Sequence, residues 1–241
     1  MYLVYRAQLP EHIELDYDRQ ARQLLAKLLD ESPDPFPREF LHLRKNGYLG
    51  GLSPYRTRGV RGCLEISAVG QVATERLAEH AHRVTAALSR YAGAPVSETR
   101  SAGICDLSEG ARLNYYVIHS LVFQRRPSLH REIMQAKDPE RAQELVQTLV
   151  EERIRSGIER QANFLGIDVP YYMLGNISFG QPVPVLVKPG KFNLTAKVNF
   201  QCSLIFSGPW HVGYLVSRGY GRIANARRPA RKENDSVRVG C

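Results

Sequence analysis

The order in which strand-like and helix-like patterns follow one another limits the fold of this chain more than any other feature. Residues 1–9 (MYLVYRAQL) alternate apolar and polar side chains, and residues 16–35 then place apolar side chains at helical spacing. Two glycine-containing segments, 40–54 and 60–70, are interpreted as strands, and the second of them alternates most clearly. Residues 71–93 repeat the helical pattern and end on a glycine. A further strand in 94–104 would complete the order βαββαβ.

This order is typical of a ferredoxin-like unit, in which two helices cover one face of a four-stranded sheet. Residues 113–124 are predicted to open a second unit as a strand, followed by a short helix at 128–137 and a long helix from Pro139. Residues 183–206 contain two strands around the turn KPGK and then a third. We therefore expect an α+β fold of two ferredoxin-like (RRM-like) units in tandem, the second irregular, with a helical insertion and a basic β-hairpin.

The boundary between the two predicted units rests on one glycine-rich stretch, SAGICDLSEGA at residues 101–111. It gives an N-terminal domain of residues 1–105 and a C-terminal domain of residues 106–241.

Positive charge is concentrated in the second half of the chain. The formal net charge is +9, and no acidic residue occurs between Asp168 and Glu233. A surface selected only for solubility would mix the two signs. The interval predicts that this half binds a polyanionic partner, with an affinity that falls as salt is added. The alternative is that the positive charge of this half arose by drift and serves no function.

Several classes of protein are disfavoured by the sequence. The four cysteines are widely spaced, the first residues lack a signal-peptide pattern, and no apolar run is long enough for a membrane span. These features indicate a reduced, cytoplasmic protein without membrane contact. No cluster has metal-ligand spacing, and neither a nucleotide P-loop nor a dinucleotide fingerprint occurs, so we expect no metal and no cofactor.

The stretch GPWHVGYLVSRGYGRIANARRPARK at residues 208–232 carries the most specific signal. Glycines let a backbone approach a phosphate closely, and arginines fork onto phosphate oxygens. The stretch resembles the C-terminal glycine-rich loop of the CRISPR-associated endoribonucleases that cut the repeats of precursor CRISPR RNA. GYLVSRGYGRI supplies Gly213, Arg218, Gly219, Tyr220 and Gly221, but Leu215 stands where that family has a glycine. The chain is most similar to the family members of type IV CRISPR systems.

The resemblance implies a metal-independent reaction. The ribose 2′-OH next to the cut attacks the phosphate, which leaves a 2′,3′-cyclic phosphate and a 5′-OH. The resemblance also implies that the enzyme grips a hairpin repeat, retains the mature CRISPR RNA and joins other effector subunits.

For catalysis we expect Arg22, in the first helix, and Arg38, in the loop after it, to stabilise the transition-state charge, with His42 as the base. Each arginine is alternatively a solvated surface charge, and His42 is alternatively a strand histidine packed at a sheet edge. A second set of residues is expected to bind the RNA. Its members are Lys188, Lys191, Lys197, Arg218, Gly219, Tyr220, Gly221, Arg222, Arg227 and Arg228.

Two other functions remain open from the sequence. One is a non-catalytic CRISPR RNA-binding subunit of an effector complex, whose sequence would look much the same. The other is a general structured-RNA-binding protein, although the aromatic motif typical of RRM proteins is not found.

Overall fold

The fold is described from a computed structural model. It describes residues 1–13, 15, 18–41, 43–44, 47–48, 52–60, 62–188 and 190–226.

Two amphipathic helices build the core of the first half. Helix α1 (Asp18–Glu31) buries an apolar stripe that includes Ala21 and Leu25. Helix α2 (Gln71–Ala92) ends where Gly93 takes up a left-handed conformation and donates its N–H to the carbonyl of Arg90. Both helices pack on the same side of one sheet, and their apolar faces share a single hydrophobic cluster with it.

That sheet has the strand order of a ferredoxin-like unit. Four of the strands in this half pair antiparallel in the order β4-β5-β1-β6, and β2 and β3 form a separate small hairpin. The strands are β1 (Tyr2–Gln8), β2 (Leu43–Arg44), β3 (Gly47–Tyr48), β4 (Tyr55–Val60), β5 (Cys63–Val69) and β6 (Ser97–Gly103).

The second strand of this unit is not where the sequence pattern placed it. A 3-10 helix at Arg38–Leu41 and the small hairpin occupy the start of the segment expected as a strand, and the sheet strand is β4. Its sequence YRTRGV shows no apolar alternation because both of its faces are covered. Tyr55 and Thr57 face the helices, whereas Arg56 and Arg58 face the second half of the chain.

The second half repeats the same strand order with a different set of connections. Its sheet runs β11-β7-β10-β8, and β9 pairs with β10 as a hairpin extension. Helix α4 begins at an N-cap Asp138, whose carboxylate accepts hydrogen bonds from the N–H groups of Glu140 and Arg141. The elements are β7 (Asp106–Gln124), α3 (Pro127–Met134), α4 (Pro139–Leu165), β8 (Leu174–Phe179), β9 (Val183–Lys188), β10 (Lys191–Ser207) and β11 (Ile223–Asn225).

The connection between β10 and β11 differs in structure from its counterpart in the first half, the helix α2. A second ferredoxin-like unit would carry a helix there, but residues 208–222 form an irregular stretch with one 3-10 turn at Val216–Arg218. We call residues 208–222 the glycine-rich segment. The two antiparallel sheets and their helices confirm the predicted α+β fold, with the second unit irregular as expected. Of the helices that the structure describes, none is long and apolar enough to span a membrane.

Candidate functional site

Helix α4 holds the glycine-rich segment in place through two consecutive polar side chains. Gln161 is fully buried, and its side-chain amide donates to the carbonyl of Pro209 at 3.0 Å and accepts from the N–H of His211 at 3.1 Å. Arg160 donates to the carbonyl of Gly213 at 3.1 Å. Because buried backbone groups need partners, these bonds fix the course of the segment across the helix.

Close packing requires the glycines of the segment. Gly213, Gly219 and Gly221 all have positive φ, between 76° and 86°. A Cβ on Gly221 would lie 1.8 Å from the carbonyl oxygen of Val212, and one on Gly219 would lie 2.6 Å from the Cβ of Arg58. No other residue fits these positions without moving the backbone.

The N–H groups of two of these glycines have intramolecular partners. Gly219 donates to the carbonyl of Val216 at 3.0 Å, and Gly221 donates to the carbonyl of Ser120 at 2.9 Å. The glycines therefore allow the segment to pack closely, and they do not point these two N–H groups at a ligand. The side chains beside these glycines are therefore the groups that are left to contact a ligand.

The segment lies against the face of the first sheet that the helices leave uncovered. That face carries alternate residues of β1, β4 and β5, among them Val4, Arg56 and Ser67, which are all buried. Gly219 contacts Arg58 on this face, and Gly208 contacts the Tyr2 ring. The two halves therefore meet here, with the glycine-rich segment between the first sheet and α4.

One buried carboxylate binds three arginines at this contact. Glu65 in β5 is 2% exposed, and it accepts hydrogen bonds from Nε of Arg6 at 2.7 Å and Nε of Arg58 at 2.6 Å. Nη1 of Arg222, from the glycine-rich segment, binds the same carboxylate at 2.9 Å. Burial alone would raise the pKa of Glu65, but the hydrogen bonds and charges of these arginines outweigh it and hold the pKa below its ordinary value. We call these four residues the Glu65 cluster.

A buried arginine, Arg56, lies on the same face and has no carboxylate partner among the described residues. Arg56 is 1% exposed, its Nη1 donates to the carbonyl of Ser53, and its Nε and Nη2 have no hydrogen-bond partner among the described residues. Burial lowers the pKa of Arg56 to about 10, so it remains charged at neutral pH. Burial, and then the charges of Arg56, Arg222 and Arg58, hold the pKa of the buried His211 well below its ordinary value.

A groove of about 1370 Å³ opens between the two halves beside the Glu65 cluster. Its walls include parts of β1, β4, β7, β9, β11 and the glycine-rich segment, and none of the described residues that line it is acidic. His119 of β7 is exposed here, and it is the one described histidine that lines the groove. The polar side chains that line it include Arg6, Arg58, His119, Ser120, Tyr220 and Arg222.

The position of His119 is fixed relative to the glycine-rich segment. The next residue, Ser120, accepts the hydrogen bond from the N–H of Gly221 through its carbonyl. A smaller cavity of about 540 Å³ continues from the groove past Tyr116 and Asn225 towards Arg112. The arrangement can hold an extended anionic chain along β7, with one imidazole and several guanidiniums beside it.

The structure brings Arg22 to the glycine-rich segment. Its Nη1 donates to the carbonyl of Ser217 at 3.2 Å, and its Nη2 donates to the carbonyl of Leu41, the last residue of the 3-10 helix that starts at Arg38. The side chain of Arg38 is exposed. Arg22 thus connects α1, the 3-10 helix and the glycine-rich segment, which are far apart in sequence.

The predicted RNA-binding residues separate into two groups. Gly219, Tyr220, Gly221 and Arg222 line the groove. Nη1 of Arg218 donates to the carbonyl of Val187 in β9 at 3.3 Å, next to the hairpin where Lys188 pairs with Lys191. Lys191 and Lys197 are exposed on β10 and do not line the groove.

Three predicted site residues, His42, Arg227 and Arg228, lie outside the described residues. Sequence reasoning missed Arg6, Arg58, Glu65 and His119, because each comes from a strand that carries no recognisable motif. The one available signal was the pair of arginines in YRTRGV, which stand on the same face of a strand. Within the part of the chain that the structure describes, no three potential metal ligands lie together.

Comparison with known proteins decides the family. The family model described as type IV CRISPR-associated endonuclease Csf5 matches residues 2–228, which is nearly the whole chain. The chain belongs to this family. The chain is thus a Csf5-family protein, and the predicted relation to CRISPR endonucleases of type IV systems is confirmed. A search of the curated proteins finds no match.

Solved structures support the same fold. The chain matches "Csf5, CRISPR-Cas type IV Cas6 crRNA endonuclease" with a TM-score of 0.71 and 21% identity, over 94% of this chain and 99% of that one. It matches a Cas6b crystal structure with a TM-score of 0.64 and 17% identity, over 94% and 100% of the two chains. A second Cas6b, a CRISPR RNA processing endoribonuclease, gives 0.57 and 14% over the same shares. These likenesses confirm the predicted tandem fold.

Proposed function

We propose that this Csf5-family protein is a metal-independent endoribonuclease that cuts precursor CRISPR RNA within its repeat. The 2′-oxygen next to the cut forms a bond to phosphorus while the bond from phosphorus to the 5′-oxygen breaks. The products are a 2′,3′-cyclic phosphate and a 5′-OH. The observation that carries the proposal is a groove without acidic lining residues, between the two halves of a chain from a CRISPR endonuclease family.

Arg22 and Arg38 are proposed to stabilise the charge that develops on the phosphate oxygens. An arginine stays protonated, so it cannot accept the 2′-OH proton, but its guanidinium binds phosphate oxygens in a fixed geometry. The contact of Arg22 with the carbonyl of Ser217 places it next to the glycine-rich segment. Preorganised donors of this kind contribute most when the site is partly shielded from water.

Two histidines are candidates for the group that accepts the 2′-OH proton. His42 follows the 3-10 helix in sequence and is the candidate from sequence. His119 lines the groove beside Tyr220 and Arg222, which favours it as a second candidate. A neutral imidazole accepts the proton of the 2′-OH, and an imidazolium or water protonates the leaving 5′-oxygen.

RNA binding is proposed to extend beyond the groove. Lys188, Lys191, Lys197 and Arg218 would hold the stem of a repeat hairpin, and Arg227 and Arg228 would follow it from the end of the glycine-rich segment. The enzyme would retain the mature CRISPR RNA after one turnover and enter an effector complex with other CRISPR subunits. Guide-RNA processing of this kind places the protein in the cytoplasm.

Two alternative functions can be distinguished from this proposal by how the protein cleaves and binds RNA. A non-catalytic CRISPR RNA-binding subunit would bind the same repeat and leave it intact. A general structured-RNA-binding protein would bind unrelated hairpins as tightly as the repeat.

Cleavage of a labelled repeat RNA in the presence of a chelator tests the proposed function. We expect one cut within the repeat, a cyclic phosphate on the upstream product and a 5′-OH on the downstream product. A 2′-deoxyribose at the mapped cut should abolish the reaction, because it removes the nucleophile. An intact RNA, or a product with a 5′-phosphate, would refute the proposed chemistry.

A further inference from the structure

The Glu65 cluster contains more positive than negative charge. Three guanidiniums bind one carboxylate, which leaves a surplus of two positive charges. Within the described part of the chain, no second carboxylate lies within 4 Å of these arginines. The side chains of Arg6, Arg58 and Arg222 are 47%, 21% and 28% exposed, and all three line the groove. Surplus charge in a partly enclosed cleft attracts an anion.

The register of the first sheet explains how this cluster forms. Arg6 of β1 and Arg58 of β4 are both directly paired with Glu65, which lies in the strand between them. Side chains of directly paired residues stand close together on one face of a sheet. Arg222 reaches the same carboxylate from the glycine-rich segment, so the cluster is complete only when the two halves are docked.

The arginines keep hydrogen-bond donors for a ligand. Arg6 and Arg58 bind Glu65 through Nε, and Arg222 binds it through Nη1. Each guanidinium has five N–H donors in a planar fork. Among the described residues, no hydrogen-bond partner is found for the Nη groups of Arg6 and Arg58, and both residues line the groove. Guanidinium donors of this kind bind phosphate oxygens in a bidentate manner.

We propose that Arg6, Arg58 and Arg222 bind one phosphate group of the RNA backbone in the groove, and that Glu65 positions them for it. This inference rests on the proposed function, because it takes RNA as the occupant of the groove. The phosphate site is assigned from the geometry of the cluster, and it adds two arginines from the first half to the binding residues expected from sequence.

The role of Glu65 can be tested by the sign of an effect. If the groove attracted RNA by charge alone, removal of the Glu65 charge would strengthen binding. If Glu65 positions the arginines, the same change weakens binding although the net charge becomes more positive. The two accounts predict opposite results for Glu65→Gln.

The experiment measures the affinity of a fluorescent repeat RNA at several salt concentrations, with the cut blocked by 2′-deoxyribose. For Arg6→Gln we expect binding roughly 5- to 10-fold weaker and a salt slope smaller by about 1. Arg6→Lys keeps the charge but loses the fork, so we expect binding about 3-fold weaker with the slope unchanged. Glu65→Gln should bind at least about 3-fold more weakly, by the same loss of oriented donors.

The matched control is Arg155→Gln in α4. Arg155 also binds one glutamate through Nε, at 2.9 Å, but it lies outside the groove. It should bind RNA like the wild type. If Glu65→Gln does not fold, as thermal unfolding would show, the two Arg6 variants decide, because Arg6 is the most exposed of the three arginines.

The inference is wrong if the Arg6 variants bind like Arg155→Gln, or if Glu65→Gln binds more tightly than the wild type. Cleavage of the unmodified repeat by the same proteins separates this failure from failure of the proposed function. A wild type that cuts RNA, with variants that bind it normally, overturns the phosphate site alone. A wild type that binds with the expected variant pattern but does not cut supports the site and overturns the nuclease.

Discussion

The two halves of the chain share a strand order but differ in one connection. In the first half, α2 connects β5 to β6 and covers the sheet together with α1. In the second half, the glycine-rich segment stands at the equivalent place between β10 and β11, and α4 covers the sheet. The segment packs on the free face of the first sheet, so the difference creates both the contact between the halves and the groove. The candidate site thus lies where the second half departs from the repeated pattern.

The sharpest test of this comparison is a glycine substitution in each connection. Gly221→Ala brings a Cβ 1.8 Å from the Val212 carbonyl oxygen at a positive φ, and we expect it to lower the free energy of unfolding by about 4 kcal/mol. Gly93→Ala also has a positive φ, but nothing lies within 4 Å of its Cβ, so we expect a loss of about 1 kcal/mol. Urea unfolding measures both. Equal losses would mean that the segment is not closely packed.

The next largest effect should come from removal of the histidine that accepts the 2′-OH proton. We expect His119→Ala or His42→Ala to slow cleavage roughly 300-fold at saturating protein, because removal of a general base has an effect of this size. His130→Ala on α3 is the control and should cut at the wild-type rate. Single-turnover cleavage identifies which histidine acts. If neither change slows the reaction, no histidine of this pair is the base.

A smaller loss should follow changes to the arginines near the segment. Arg22→Ala removes the donor to the Ser217 carbonyl and a proposed transition-state cation, and we expect cleavage about 100-fold slower with RNA bound. The same loss is expected for Arg38→Ala. Arg90→Ala in α2 removes a donor to the hydroxyl of Ser32 at 2.9 Å, far along the chain from the segment, and should leave the rate unchanged. If both variants cut at the wild-type rate, Arg22 and Arg38 have no catalytic role and are structural or surface charges.

The weakest of these effects is a dependence of stability on pH. His211 has a pKa well below 6.5 in the folded protein, so below pH 6.5 the unfolded chain binds a proton that the folded chain does not. Stability should therefore fall as the pH is lowered from 7 towards 5, by at most about 1.4 kcal/mol per pH unit. His211→Gln should flatten this dependence, whereas His12→Gln on the surface should not. An unchanged slope in His211→Gln would show that another group causes it.

The parts of the fold that sequence predicts are those with local causes. The apolar stripes of α1 and α2, the stop at Gly93 and the hairpin that pairs Lys188 with Lys191 follow from periodicity and turn chemistry. The strand β4 was not predictable, because Arg56 and Arg58 face a surface that packs against the distant glycine-rich segment. The second and third of the strands expected in residues 183–206 are one bulged strand, β10, which pairs with three neighbours.

The site shows the same limit. Patterns along the chain pointed to the glycine-rich segment, and four of its predicted residues line the groove. They could not point to Glu65, because its three arginines come from positions 6, 58 and 222 and meet only through sheet register and docking. The division into domains at residue 105, and the roles of the individual site residues, stay predictions.

The most direct test of the account is a crystal structure of the protein bound to a repeat RNA with 2′-deoxyribose at the cut. The account predicts that the RNA strand enters the groove between the halves, with one backbone phosphate on Arg6, Arg58 and Arg222 and the blocked cut within reach of the acting histidine. An RNA bound on the α1 and α2 face, or on any surface that leaves the groove empty, would contradict it.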